Sequence, residues 1–445
     1  MTKKPLLRFH LGTLLNPVSD LKCDLIRDGV LVVDARTGKI QGIHDLKSAR
    51  VRYGKAFGGR AVIDHGSALL IPGFFDMHFH WVQDEVREMP KASLLTWLKR
   101  YTFPTEMRFA DPAYARKRAK EFFMKLRCSG TQGGAIYSSI HETAIRSAFR
   151  EVKGHFVVGN VLMNMESPPE LTVGEEESLR LVRKLLKRYG TRYALTPRFA
   201  ITTTPRVMKE GAKWADAAGA FKQTHLSETP GEIDFVLSQY RKIPGFEKVR
   251  NYTEIYQKSG MLGPRSIMGH GIHLSLDELR LLARTRTSIA HCPTSNAPVK
   301  ELGLGSGLFD FRRTEKAGVR WALGSDIGGG PFLSMFDVME SFVRQNKKAG
   351  VKGATRVKAL YRATLAGASI LGLDQITGSF KVGKEANFMV VPVSSRVLSG
   401  GNAEEVLERL HAGVRRRSAF DSLVASSWIK GRCGSRVRSP GPAGV

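Results

Sequence analysis

Cysteine is scarce in this 445-residue chain: Cys23, Cys128, Cys292 and Cys433 stand far apart, with no C-x-x-C pair. That spacing excludes a disulfide framework or a zinc ribbon and fits a reducing compartment. Long apolar runs are missing too. No window reaches about 18 consecutive apolar residues, so no membrane partner is expected. The N-terminal MTKKPLLRFHLGTLL lacks a sustained apolar core and a small-residue cleavage site, which makes a cytoplasmic location the expectation. No G-x-G-x-x-G follows an early strand, and there is no internal repeat or low-complexity block. Acidic residues are in deficit, 41 Asp and Glu against 69 Lys and Arg, which leaves a net charge of +28. Such a surplus exerts a non-specific pull on polyanions but says nothing about fold. The basic residues are scattered. Their densest runs, at 116–118, 183–184 and 415–417, sit beside apolar residues at helical spacing and read as solvated helix faces, so no specific nucleic-acid partner is expected.

What remains is ordinary globular material, 42% hydrophobic and 25% charged, enough for a large buried core. The length exceeds a typical domain, although one large barrel can hold most of it. The first seventy residues place Asp-Gly and Thr-Gly between β-branched runs, the composition of consecutive hairpins. From Ala68 onward, short apolar runs alternate with amphipathic stretches. Candidate strands are 69–79, 133–137, 155–163, 193–197, 220–224, 266–269, 287–290 and 319–323, with helical patterns at 175–188, 205–218, 275–284 and 333–346. Eight strands alternating with helices predict an α/β fold, a (β/α)8 TIM-like barrel. Ser275 and Glu278 spell a capping box at one helix start. A helix is expected at 355–372, strand-like sequence after it, another helix at 404–411 and a last strand at 422–430. The expected organisation is a small β domain built from both ends (1–71 and 373–433), a barrel over 72–372 and a mobile tail at 434–445.

The chemistry gathers at predicted strand ends. His78 and His80 close the first strand in FFDMHFH, His225 follows the fifth in QTHLSE and His270 the sixth in IMGHGIH. His291 follows the seventh in IAHCPTSN, and Asp326 the eighth in ALGSDIGGG. In a closed barrel these ends converge on one face. With a side-chain period of two, His78 and His80 point inward together and Phe79 outward. Taken singly, an H-x-H is an ordinary half-buried strand pair and Ser325-Asp326 an N-cap before a glycine turn. Their convergence instead predicts a mononuclear metal site with His78, His80, His225 and Asp326 as ligands, leaving a position open for a water whose pKa falls to about 7. Glu228, just past His225, is then placed as proton carrier, and His270 as hydrogen-bond partner of the water or the oxyanion. His273 and His291 are read as structural.

The strings PGFFDMHFHWVQ, QTHLSE, MGHGIHLS, HCPTSN and GSDIGGG resemble the signature segments of the metal-dependent amidohydrolase superfamily. SLLTWLKRYTFPTEMRF, VGNVLMNMESPPELT, TPRFAITTT and QTHLSETPGEIDFV narrow the resemblance to its guanine deaminase family. It covers about 72–391, with a weaker echo in both terminal segments. It implies hydrolysis of guanine to xanthine and ammonia in a barrel with one bound zinc, and a homodimer. Iron suits the same imidazole and carboxylate donors. Residue by residue, it implies His78, His80, His225 and Asp326 as ligands, with Asp326 also stabilising the tetrahedral centre, and Glu228 as proton shuttle. Gln83, Arg198 and Phe199 are implied to hold the purine. Guanine's O6 and N7 accept hydrogen bonds, which suits the Arg198 fork and the Gln83 amide, while Phe199 can pack on the ring. The chain departs from the family at Ser325, where threonine is more usual, at ITTT after Phe199, over 397–419 and in its +28 charge. A related amino-heterocycle (8-oxoguanine, a modified adenosine or a triazine) is the alternative substrate. The alternative of another class is a basic nucleic-acid-binding protein with a structural zinc.

Overall fold

The computed structural model describes residues 5–414 and 422–436; the 415–417 basic run and the end of the predicted tail lie outside them. Four strands come first: β1 (Leu7–Pro17), β2 (Cys23–Asp34), β3 (Lys39–Asp45) and β4 (Val62–Pro72). Next come β5 (Phe74–His80), β6 (Thr131–Ser138), β7 (His155–Leu162), β8 (Ala194–Pro197), β9 (Phe221–Leu226), β10 (Ser266–His270), β11 (Ser288–His291) and β12 (Trp321–Leu323). The last are β13 (Phe388–Pro392), β14 (Ser426–Ile429) and β15 (Arg432–Arg436). These make a seven-stranded sheet, β15-β14-β13-β4-β1-β2-β3, and an eight-stranded one, β12-β11-β10-β9-β8-β7-β6-β5. Among the described residues no helix is long and apolar enough to cross a membrane. Two compact units are bounded by Met1–Asp76, Met124–Gly133 and Phe332–Val445 for one, and Met77–Phe123 and Gly134–Pro331 for the other.

The eight-stranded sheet is the expected barrel. Successive neighbours from β7 to β12 pair in parallel. At its ends, Asp326 N donates to His78 O at 2.7 Å and His80 N to Ile327 O at 2.5 Å, so the chain after β12 returns to β5 and nearly closes the ring. Every residue of β5 is buried, as expected of a strand covered on both faces by barrel interior and helices. Phe79 points outward onto Phe122, ring centroids 5.9 Å apart. The helix Leu276–Thr285 starts with the predicted capping box, Ser275 and Glu278 each satisfying the other's backbone.

In the seven-stranded sheet, β2 sends alternate residues to two cores. Val30 and Val32 pack with Phe9 and Ala49, while Leu31 and Val33 join Leu14, Leu70, Phe388 and Trp428. Burial on both faces explains why this stretch reads as a continuous apolar run.

Several expectations are corrected. The single strand at 69–79 is two strands in two sheets, parted at Gly73, where a Cβ would lie 2.1 Å from Gln132 Oε1. Asp28-Gly29 is no hairpin turn. It lies within β2, with Asp28 at φ 44, opposite a register shift in β1 between Gly12 and Leu14. A short helix, Leu46–Tyr53, capped by the Asp45 carboxylate, escapes periodicity analysis because Ala49 is its one buried residue. The helix expected at 355–372 is broken into Arg356–Arg362 and Leu365–Ile370, with Thr364 outside helical conformation at φ −134, ψ −94. Residues 434–436, read as tail, belong to β15.

Candidate active site

The C-terminal ends of the barrel strands bring the predicted side chains to one place. His78, His225, His270 and Asp326 each offer one ligand atom, all within 4.8 Å of one another. His78 Nε2 lies 3.3 Å from Asp326 Oδ1. His80 Nε2 joins them 3.1 Å from His225 Nε2 and 3.6 Å from Asp326 Oδ1. All four expected ligands therefore meet, with His270 beside them. The Tyr137 ring lies against both imidazoles of β5, centroids 4.4 Å from His78 and 4.6 Å from His80. Close approach requires two glycines here: a Cβ on Gly269 would stand 2.6 Å from His78 Cε1, and one on Gly324 3.0 Å from the His78 amide nitrogen. Ser227, His270 and Asp326 all have positive φ (51, 69 and 49), sparsely populated conformations that cost energy and cluster at functional sites.

Burial pulls the His78, His80, His225 and His270 imidazoles below their ordinary pKa. Burial works against ionisation of Asp326, but the His78 hydrogen bond, then electrostatic interaction with the His78, His270 and His80 rings, hold its carboxyl below the usual range. The cluster is thus neutral imidazoles around one carboxylate. His225 Nδ1 donates to the Arg198 carbonyl at 2.5 Å, which leaves the Nε2 lone pair facing the cluster. His270 Nε2 is buried with no hydrogen-bond partner among the described residues. Nitrogen and oxygen donors in this state fit a divalent cation such as zinc or iron.

Glu228, 2% exposed, follows β9. Its Oε1 accepts from Asn296 Nδ2 at 3.3 Å and Ser306 Oγ at 3.2 Å and lies 3.5 Å from His270 Nδ1. Its backbone N–H donates to Glu232 Oε2 at 2.8 Å. Glu232 is itself the N3 member of the capping box that starts helix Pro230–Tyr240, so the helix start also fixes the Glu228 backbone. Burial, then the Asp326 charge, push the Glu228 carboxyl up to about 8. Burial, then the charge of Glu228, push Glu232 up to about 7.

Across the same pocket, lined by His80, Gln83, Trp97, Arg198, Phe199 and Glu228 among others, one buried carboxylate holds two side chains. Gln83 Nε2 donates to Glu106 Oε1 and Arg198 Nη1 to Glu106 Oε2, both at 2.8 Å. Phe199 stands edge-on to His225, ring centroids 6.3 Å apart. His273 Nε2 donates to the Ser306 carbonyl at 2.8 Å, bracing the residue that reaches Glu228. His291 stacks on Phe309 at 4.4 Å. Sequence reasoning did not assign Glu106, Glu232, Asn296 or Ser306. Signals existed for three of them: Glu106 lies in SLLTWLKRYTFPTEMRF, which carries the family resemblance, Thr229 to Glu232 spells a capping box, and Asn296 lies in HCPTSN. Ser306, in a glycine-flanked loop, has none.

Comparison with known proteins gives concordant findings. Residues 69–415 match the amidohydrolase family. The guanine deaminase of Escherichia coli is 32% identical over 418 residues, 92% of this chain and 91% of the relative. The solved structure of E. coli guanine deaminase superposes with a TM-score of 0.85 at 27% identity, covering 97% of this chain and 100% of the other. The structure of guanine deaminase from C. acetobutylicum, with bound guanine in its active site, gives 0.83 at 28% identity, over 96% and 100% of the two chains.

Proposed function

This chain belongs to the amidohydrolase family, and on that premise we propose that it hydrolyses guanine to xanthine and ammonia. The observation that carries the reading is that His80, His225 and Asp326 of the cluster, the Glu228 carboxyl, and Gln83 and Arg198 line one pocket, with Glu106 holding the last two. We assign His78, His80, His225 and Asp326 to one zinc ion per chain, a choice the donor set supports. A bound zinc ion would supply Lewis acidity, making the attacking water more acidic.

The remaining work falls to protein side chains. Arg198 and Gln83 direct N–H groups to the O6 and N7 acceptors of guanine, and Phe199 packs on the ring. A carboxyl with raised proton affinity both takes up and gives back a proton, and in the metal-free protein burial, then the Asp326 charge, raise that of Glu228. Glu228 takes a proton from the attacking water and delivers it to the ring nitrogen beside the carbon that bears the exocyclic amine. With Nδ1 accepting from Asn296 Nδ2 at 3.2 Å, the His270 proton sits on Nε2, where it stabilises negative charge on the incoming oxygen together with Asp326's hold on the site. The hydroxyl proton of the tetrahedral carbon then passes to the amine, the carbon–oxygen bond becomes a carbonyl as the carbon–nitrogen bond breaks, and ammonia leaves. A homodimer in the cytoplasm completes the reading, on the family resemblance.

Purified, metal-replete protein assayed for ammonia release with guanine, 8-oxoguanine, a modified adenosine and an aminotriazine should convert guanine fastest. Activity on every ring but guanine would reject the assignment. A second expectation concerns Glu106. Glu106→Gln keeps the shape but removes the charge opposing Arg198, so the guanidinium is no longer neutralised and turns from its set direction. Because this acts through Gln83 and Arg198, the loss should fall mainly on KM, raised about tenfold or more for a weakened charge-assisted pair, with kcat changed much less. An equal loss in kcat would place Glu106 in the chemical step instead.

A further inference from the structure

We propose that a hollow on the outer helices of the barrel unit, away from the strand-end cluster, binds an oligophosphate of nucleotide size. The hollow measures about 580 Å³, within the range of small-molecule sites. The start of helix Pro112–Cys128, helix Glu142–Glu151 along its length and the end of helix Glu175–Tyr189 form its walls. Four guanidinium groups line it: Arg116, Arg146, Arg150 and Arg188.

Three of the four guanidiniums there lack a carboxylate beside them among the described residues. Glu142, the one carboxylate in the lining, already accepts Lys184 Nζ at 2.7 Å and lies 3.9 Å from Arg146. Arg116, Arg150 and Arg188 have no carboxylate partner among the described residues. Arg146 and Arg150 stand one helical turn apart, a like-charge spacing that opposes the helix. Arginines gathered in this way gain most from a ligand whose oxygens accept paired N–H donors, and the guanidinium fork matches phosphate.

An aromatic surface lies beside them. Half-buried Phe149 and Tyr189 stack with ring centroids 3.7 Å apart and planes 13° from parallel. Arg192 lies over Phe149 at 5.3 Å and Arg188 over Tyr189 at 5.5 Å. A heterocyclic base would take the place of Arg188 on the Tyr189 ring as that guanidinium turns to the phosphates. A nucleoside triphosphate meets both features: three phosphoryl groups for the arginines and a base for the rings. This part of the molecule also gives the +28 charge one specific use. The inference is independent of the deamination reading.

Isothermal titration of the full-length chain with GTP, ATP, inorganic tripolyphosphate and an oligothymidylate tests it. The expected result is saturable one-to-one binding of the nucleotides, with tripolyphosphate weaker for want of a base. Arg150→Ala and Arg188→Ala should each lower nucleotide affinity about tenfold or more. Arg150→Glu should abolish binding while leaving thermal unfolding and kcat/KM for guanine as in the parent. Absence of saturable nucleotide binding at low salt, or binding that ignores these substitutions, overturns the proposal. So does an oligothymidylate that displaces GTP with a steep salt dependence, which would make the hollow part of a nucleic-acid surface.

Discussion

Glu228→Gln should lower kcat for guanine by a factor of about 10²–10⁴, the usual worth of a positioned general acid–base, while elemental analysis finds the parent's metal content. Glutamine preserves the volume and can still meet Asn296 and Ser306, so the loss isolates the proton. Parent-level turnover in this variant would refute the proton route. The same substitution has a signature without substrate. In the metal-free protein the Glu228 carboxyl titrates at about 8, whereas in the unfolded chain a glutamate titrates near about 4.3. The folded state therefore holds the extra proton between these values. This group's contribution to stability is whole below pH about 4 and is lost as pH rises toward about 8. Unfolding temperatures of the metal-free variant should accordingly gain on the parent from pH about 5 to 8 and level off above. A gap that does not change with pH would show that the carboxyl is not held protonated.

His225→Ala carries the second large effect. It deletes the imidazole whose Nδ1 is fixed by the Arg198 carbonyl and whose Nε2 faces the cluster. Changes to groups that only orient a ligand already cost about 10–100-fold in metal affinity, so loss of the ligand itself should exceed that. Purified variant should contain little metal. Added zinc at a hundred times the parent's dissociation constant should stabilise the parent by about 2.7 kcal/mol and the variant by almost nothing. Equal stabilisation of both would remove His225 from the ligand set. Gly269 offers a milder perturbation of the same centre, because any side chain there meets His78.

The barrel was legible because its strands are buried on both faces and so appear as apolar runs separated by amphipathic helices. The His/Asp cluster was legible because each of its residues stands at a strand end, where the fold makes residues distant in sequence converge: His78, His225 and Asp326 need no local motif beyond position. What escaped detection depends on contacts that leave no periodic trace. Glu106 sits among short helical turns between Leu94 and Ala110, and its two 2.8 Å bonds, not any periodicity, show what it holds. Ser306 acts from a loop whose course follows backbone bonds such as Leu304 N to Ser295 O. The break falls at Gly73, where Gln132 leaves no room for a side chain, a steric constraint that hydrophobic patterning cannot register. The helix at Leu46–Tyr53 rests on a cap and not on an apolar stripe.

The carboxylate of Glu106, fully buried, binds the fates of positions 83 and 198 together. Exchange of Arg198 for a neutral residue strands an anion in the protein interior, a defect of about 3–5 kcal/mol, and exchange of Glu106 alone strands the cation. A lineage drifting toward a different ring must therefore cross a stability valley or alter both residues at once. Laboratory evolution of this scaffold would accordingly advance by paired replacements at 106 and 198, and libraries that vary one position at a time would return mostly destabilised chains.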